Sequence, residues 1–167
     1  CNHSLSMLDT YGDLMTTEQL MVCYAEVRAV RALAYVYLID LFGRVPIVTN
    51  ENLSVTDIQQ SSRSKVFEFT WNELLFALPY LAEERSNNRG EYYGRITKPV
   101  AHFLLMKMAL NAEIWTNDDW ASGTQPDGKT ILLTCDDQVQ RNAWQTVEYY
   151  GNEILASPVG YSLCETQ

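Results

Sequence analysis

Hydrophobic positions recur along this chain at helical spacing in four separate stretches. The first opens at Met15-Thr16-Thr17-Glu18-Gln19-Leu20. Thr16 can cap the chain there with Gln19 reaching back, while Met15 and Leu20 stand where a hydrophobic staple belongs. Ala25, Ala29, Ala32 and Tyr35 follow on one side, with Leu38, Leu41 and Phe42 extending the apolar face. Small residues at that spacing let another helix approach closely. Gly43 supplies a left-handed C-terminal position and Pro46 forbids resumption, so the pattern predicts a helix over about 16–42. An extended connection over residues 45–60 comes next, with Pro46-Ile47-Val48-Thr49 briefly strand-like.

The second helix is expected over about 62–78, where Phe67, Trp71, Leu74 and Leu78 mark one buried face and Pro79 ends it. A polar loop follows, with Ser86-Asn87-Asn88-Arg89-Gly90 as its turn. The third helix is expected over about 98–116. Thr97 stands at its cap, Pro99 falls harmlessly in its first turn, and Ala101, Leu105, Met108, Ala112 and Trp115 share a face. Val100, Phe103, Leu104 and Leu110 make its other sides apolar, which predicts the most buried helix of the set. Pro126-Asp127-Gly128 reads as a turn in the loop that follows. The fourth helix is expected over about 137–156, capped by Asp137 with Gln140 and facing inward through Ala143, Val147, Tyr150 and Ile154. Helix, loop, helix, twice over, predicts an all-α fold of tetratricopeptide-like stacked helical hairpins with long inter-helix loops. The pairs do not keep the roughly 34-residue period of a regular repeat.

Composition narrows the function. At 167 residues, 47% of them hydrophobic, the chain suits one helical-repeat domain or a large piece of one. Twelve Lys and Arg against twenty-one Asp and Glu leave a net charge of −9. Such a surface repels phosphate, which argues against nucleic acid and anionic lipid as partners and leaves neutral ligands open. No apolar run approaches the roughly 18–20 residues of a membrane span, and no basic start precedes an apolar stretch.

Catalytic and cofactor patterns fail in turn. The cysteines Cys1, Cys23, Cys135 and Cys164 form no C-x-x-C, and His3 and His102 are the only histidines, so no metal site is expected. Cys135 and Cys164 flank one helical unit and could pair in an oxidising compartment, although spacing alone does not set connectivity. Gly160-Tyr161-Ser162-Leu163-Cys164 starts like a nucleophile elbow but lacks the closing glycine. His102, among apolar neighbours, reads as a core or boundary histidine, and no phosphate loop or dinucleotide fingerprint is present. Asn117-Asp118-Asp119 and Asp136-Asp137 read as solvated or helix-capping acids, and Arg28 and Arg31 as structural ion-pair partners. Asn2-His3-Ser4 and Asn52-Leu53-Ser54 match the short glycosylation sequon. No catalytic residue and no cofactor is therefore expected. The candidates for ligand contact are the loop aromatics Tyr92, Tyr93 and Trp120, whose rings can stack on sugar faces while amides and carboxylates take the hydroxyls.

One ordered set of motifs is more specific. Ala25-Glu26-Val27-Arg28-Ala29-Val30-Arg31-Ala32, then Tyr35 and Tyr37, then Asp40-Leu41-Phe42-Gly43-Arg44-Val45-Pro46-Ile47-Val48, resembles the signature of the SusD/RagB family. Arg63-Ser64-Lys65-Val66-Phe67, Ala77-Leu78-Pro79-Tyr80-Leu81, Tyr93-Gly94-Arg95-Ile96-Thr97-Lys98 and Asn111-Ala112-Glu113 follow in the expected order, and Trp144 and Tyr161-Ser162-Leu163 look similar to the family's next unit. The resemblance implies a surface-exposed outer-membrane lipoprotein of Bacteroidetes-type bacteria, held to the membrane by the lipid anchor of the full-length protein. Such proteins take up glycans or other nutrients without turnover and hand them to a TonB-dependent, SusC-like transporter, over which they close like a lid. Family members are several times longer, so the chain reads as an internal fragment, and Cys1-Asn2 resembles an internal stretch of the family. The family's ligand contacts come from variable loops without a shared motif, so none carries over to a residue here. The alternative from the residues alone is a peptide-binding tetratricopeptide-type adaptor.

Overall fold

A computed structural model describes residues 1–52 and 54–162; Leu53 and the end of the chain, with Leu163 and Cys164, lie outside the described residues. The helices are α1 (Asn2–Tyr11), α2 (Thr17–Phe42), α3 (Arg63–Ala77), α4 (Lys98–Leu110), α5 (Ala112–Trp115) and α6 (Ala143–Ala156). Strands β1 (Leu132–Thr134) and β2 (Gln140–Asn142) pair antiparallel with Leu133 opposite Arg141. Helix takes 58% of the described residues and this hairpin is their one sheet, so the all-α, tetratricopeptide-like expectation holds. No described helix is long and apolar enough to cross a membrane.

Two antiparallel helix pairs make the body, α2 on α3 and α4 on α6. In α2 the capping box forms as expected, with Thr16 Oγ1 accepting from Gln19 N at 3.2 Å and Gln19 Oε1 accepting from Thr16 N at 3.1 Å. Ala25, Ala29 and Ala32 are fully buried, which brings the α3 backbone close. Facing them are Val66, Phe67, Trp71 and Leu74, the last with no exposure at all. Leu41 and Phe42 do not extend this face; they are 71% and 66% exposed. The buried stripe ends at Ile39, and two residues further on is a turn of about 200°, which points Leu41 to the opposite side.

The second pair is built from Ala101, Leu105, Met108 and Ala112 packed against Ala143 and Tyr150. The expected third helix is interrupted at Asn111, whose side-chain Nδ2 donates to the Lys107 carbonyl at 2.8 Å, and α5 resumes as a single turn. Phe103 and Leu110 face solvent, so this helix is apolar on several sides but not buried on all of them. Thr97 sits at the cap position but its buried hydroxyl makes no capping bond. At the start of α3, Ser62 is the cap, its hydroxyl accepting from Lys65 N, and Asp118 reaches across 54 residues of sequence to add bonds from Ser64 N at 3.0 Å and from the Ser64 hydroxyl. Burial raises the Asp118 carboxyl, but the bonds from Ser64 and Ser62 and the charge of Arg44 together outweigh it and hold the group below its usual range.

Helix α6 begins at Ala143, not near 137. The residues expected to open it form the hairpin, and the cap is Asn142, whose Oδ1 accepts from Gln145 N at 2.9 Å while Gln145 Oε1 accepts from Asn142 N. Asp137 binds Arg141 through both oxygens, at 2.8 and 2.6 Å, and accepts from Val139 N at 3.1 Å. Those bonds stabilise the hairpin turn, in which Gln138 takes a positive φ of 64°. Trp71 Nε1 donates to the Thr134 carbonyl at 2.9 Å and ties the hairpin to α3. Cys135, fully buried beside Thr146, is pushed up in pKa by its burial; its suggested partner Cys164 lies outside the described residues.

Candidate functional site

Clefts gather at one end of the bundle, where the connection between α3 and α4 meets the chain leaving α6. Arg85 joins them. Its Nε donates to the Val159 carbonyl at 2.7 Å, a second nitrogen donates to the Gly160 carbonyl, and the guanidinium lies 5.1 Å over the Tyr161 ring. Within the connection, Gly94 N donates to the Ser86 carbonyl at 2.9 Å and closes the loop; its φ of 75° suits glycine. Arg95 pairs with Glu26 on α2 and lies 5.0 Å over the Tyr92 ring. The hydrogen bonds that Arg95 donates to the Glu26 carboxylate are the main reason its pKa rises. Tyr92 is thereby anchored to α2 through one intermediary.

The resulting cleft encloses about 530 Å³ and is lined by Arg85, Asn88, Arg89, Glu91, Tyr92 and Val159. An aromatic ring beside an amide, a carboxylate and a guanidinium offers a stacking surface with donors and acceptors for hydroxyls. A smaller apolar cleft of about 280 Å³ adjoins it between Pro99, Val100, Phe103, Ile154 and Tyr161. Among the described residues no three His, Cys, Asp or Glu side chains converge to hold a metal ion.

The three aromatic candidates are not brought together. Tyr92 lines the larger cleft and Tyr93 beside it is 63% exposed. Trp120, also 63% exposed, lies on a short turn, Trp120–Ser122, in the connection after α5. That connection is fixed by Asp118 to the first turn of α3, whereas the loop holding Tyr92 leaves its last turn. The 15 residues of α3 hold these ends about 22 Å apart. Asn88, Arg89 and Glu91 were legible only as members of a polar turn. Their convergence on Tyr92 depends on Arg85 and Arg95, which reach 74 and 69 residues along the chain. Arg28 and Arg31 are structural, as expected, and both bind Glu73 on α3.

The class is set by the architecture, a tetratricopeptide-like helical scaffold with loops displayed at its ends. Within that class the chain is similar to SusD-like proteins. It is 31% identical over 110 residues to a SusD-like protein of Bacteroides ovatus, a match covering 65% of this chain and 18% of that protein. Its fold matches that of a laminarin-binding SusD-like protein with a TM-score of 0.63 and 24% identity, over 90% of this chain and 27% of that one. A SusD homologue from Bacteroides thetaiotaomicron matches with a TM-score of 0.60 and 23% identity, over 89% of this chain and 25% of that one. No family model matches the chain. The chain thus spans about a fifth of the curated relative and about a quarter of the two solved ones.

Proposed function

We propose that this chain is the helical scaffold of a cell-surface glycan- or nutrient-binding protein, and that Tyr92 and Tyr93 present one sugar-stacking surface of it. The full-length protein would sit on the outer membrane by a lipid anchor and deliver ligand, without cleaving it, to a TonB-dependent SusC-like transporter. The observation that carries this reading is the 110-residue run of sequence shared with the Bacteroides ovatus SusD-like protein. The laminarin-binding relative supports a glycan as the ligand class, and the net charge of −9 favours a neutral one. The same sequence match favours this reading over a peptide-binding adaptor.

Calorimetry against a panel of neutral glycans, laminarin included, tests the binding half with both the full-length parent and this chain. The parent should bind one panel member without releasing shorter sugars, and Tyr92→Ala should weaken it about tenfold, the loss of one stacking contact. Co-purification of a transporter with the parent from membranes tests the delivery half. A parent that hydrolyses its glycan, or that purifies with no transporter, overturns the proposal.

A further inference from the structure

Between Asn87 and Gly94 every residue is exposed except Tyr92, which is half-buried. The main chain of this loop is closed by its own bonds. Gly94 N donates to the Ser86 carbonyl at 2.9 Å, Tyr93 N to the Gly90 carbonyl at 3.2 Å and Arg95 N to the Tyr92 carbonyl at 3.1 Å. Those bonds set the turn of the backbone. They leave the direction of the Tyr92 ring to its side-chain neighbours.

Arg95 is the neighbour that matters, with its guanidinium carbon 5.0 Å from the centre of the ring. Every nitrogen of that guanidinium already faces a carboxylate. Nε donates to Glu26 Oε1 at 3.0 Å, one terminal nitrogen donates to the same oxygen, and the other stands 3.8 Å from Glu91 Oε1. Neither Arg95 nor Glu26 lines the cleft, although Tyr92 and Glu91 do. With its nitrogens so engaged and no place at the cleft wall, Arg95 is not placed to contact a ligand. It is placed to hold a ring, because a planar cation packs against an aromatic face while its edge bonds a carboxylate. Glu26 supplies that carboxylate from α2, next in sequence to the fully buried Ala25. The pair is itself partly sheltered, with Arg95 35% and Glu26 30% exposed, so salt screens it less than a pair in open solvent.

We infer that Arg95 is a positioning residue for the stacking surface of Tyr92, acting through the ring and itself held by Glu26. This rests on the glycan reading of the Tyr92 cleft and adds the means by which the ring is set before a ligand arrives. A side chain already in place loses less freedom on binding, an advantage of about two- to tenfold in affinity.

Fluorine NMR on the full-length parent, with 3-fluorotyrosine placed at position 92 alone, reads the ring without a ligand. The folded resonance should stand apart from its position in urea. Arg95→Gln should move it most of the way back and narrow it. Glu26→Ala, which frees the guanidinium without touching the ring, should move it in the same direction. Helical circular dichroism, unchanged in both variants, separates a released ring from an unfolded chain. A resonance that stays put in either variant overturns the inference. Calorimetry with laminarin gives a readout that a merely structural role would not move. Arg95→Gln alone should weaken binding about two- to tenfold, and should cost nothing further in a Tyr92→Ala background. Costs that add in the double variant overturn the inference, since Arg95 would then act on something other than the ring. A laminarin affinity unchanged by Tyr92→Ala alone counts against the glycan reading of this cleft, and the fluorine resonance then decides the inference by itself.

Discussion

The carboxylate of Glu73 on α3 accepts from Arg31 Nε on α2 at 2.8 Å, with Glu73 2% and Arg31 8% exposed. The other oxygen of Glu73 takes Arg28, at 2.9 Å from Nε and 2.6 Å from a terminal nitrogen. Asn2 Oδ1 accepts a further bond from Arg31 at 3.0 Å, and its amide donates to the Val48 carbonyl at 2.8 Å. One acid therefore joins the first helix pair, and through Arg31 it also fixes α1. Removing one partner of a buried ion pair leaves an uncompensated charge inside, which costs more than the pair gained by forming.

Glu73→Ala should accordingly destabilise the chain by about 3–5 kcal/mol in urea unfolding. Replacing Arg28, Arg31 and Glu73 together by apolar residues of similar volume should cost much less, because no charge is stranded. Equal losses in the two variants would show that packing volume, and not the orphaned arginines, sets the cost.

Gly43 ends α2 with a φ of 68°, and a Cβ there would meet the Arg63 Nε at 2.5 Å. Two separate terms oppose a side chain, the backbone conformation and the guanidinium in front of it. Gly43→Ala should lose about 1–2 kcal/mol from the backbone term alone. Adding Arg63→Ala should recover only the steric remainder. Full recovery in the double variant would mean that the positive φ contributes nothing.

The buried faces were legible because periodicity reports burial directly: Ala25, Ala29, Leu74, Leu105 and Tyr150 all lie where the spacing puts them. Helix α1 was not legible. It buries none of its residues and has no side-chain cap, so neither signal that marks a helix is present. Asp137 with Gln140 and Asn142 with Gln145 are equally good capping pairs in sequence. The choice falls to Asn142 through tertiary structure, since Leu133 must be buried and Ala143 N donates to the Gly128 carbonyl at 3.0 Å. The candidate aromatics were recognisable by residue type, but not that Trp120 lies at the far end of α3 from Tyr92. Glu26 and Arg95 stand 69 residues apart, and no local pattern links residues so far apart.

Core and loop substitutions should separate cleanly. Leu74 and Leu105 have no exposed surface, so either one changed to Ala should cost about 2–5 kcal/mol. Asn88→Ala, in an exposed turn, should leave the urea midpoint within about 0.5 kcal/mol of the parent while weakening any ligand bound beside Tyr92. A loop substitution as damaging to folding as Leu105→Ala would mean that the loop, and not the helix faces, holds the molecule together.

His102 gives the fold a pH dependence of definite sign. Burial lowers its pKa from the usual value; the carboxylates of Asp136 and Glu83 pull it upward and Lys98 pushes it down, with burial winning. The ring also packs at a tilt against Tyr150, with centroids 5.6 Å apart, and that neighbour brings no charge at neutral pH. The folded state therefore binds a proton at this site less readily than the unfolded chain, whose histidine titrates near 6.5. The stabilisation is fully present above about pH 6.5 and is lost as pH falls from there through the lower folded value. Urea midpoints taken between pH 5 and 8 should decline toward the acid end, and His102→Gln, which cannot charge, should decline less. Equal slopes in the two proteins, or a stability that rises as the pH falls through this window, would show that the buried imidazole is not the group responsible.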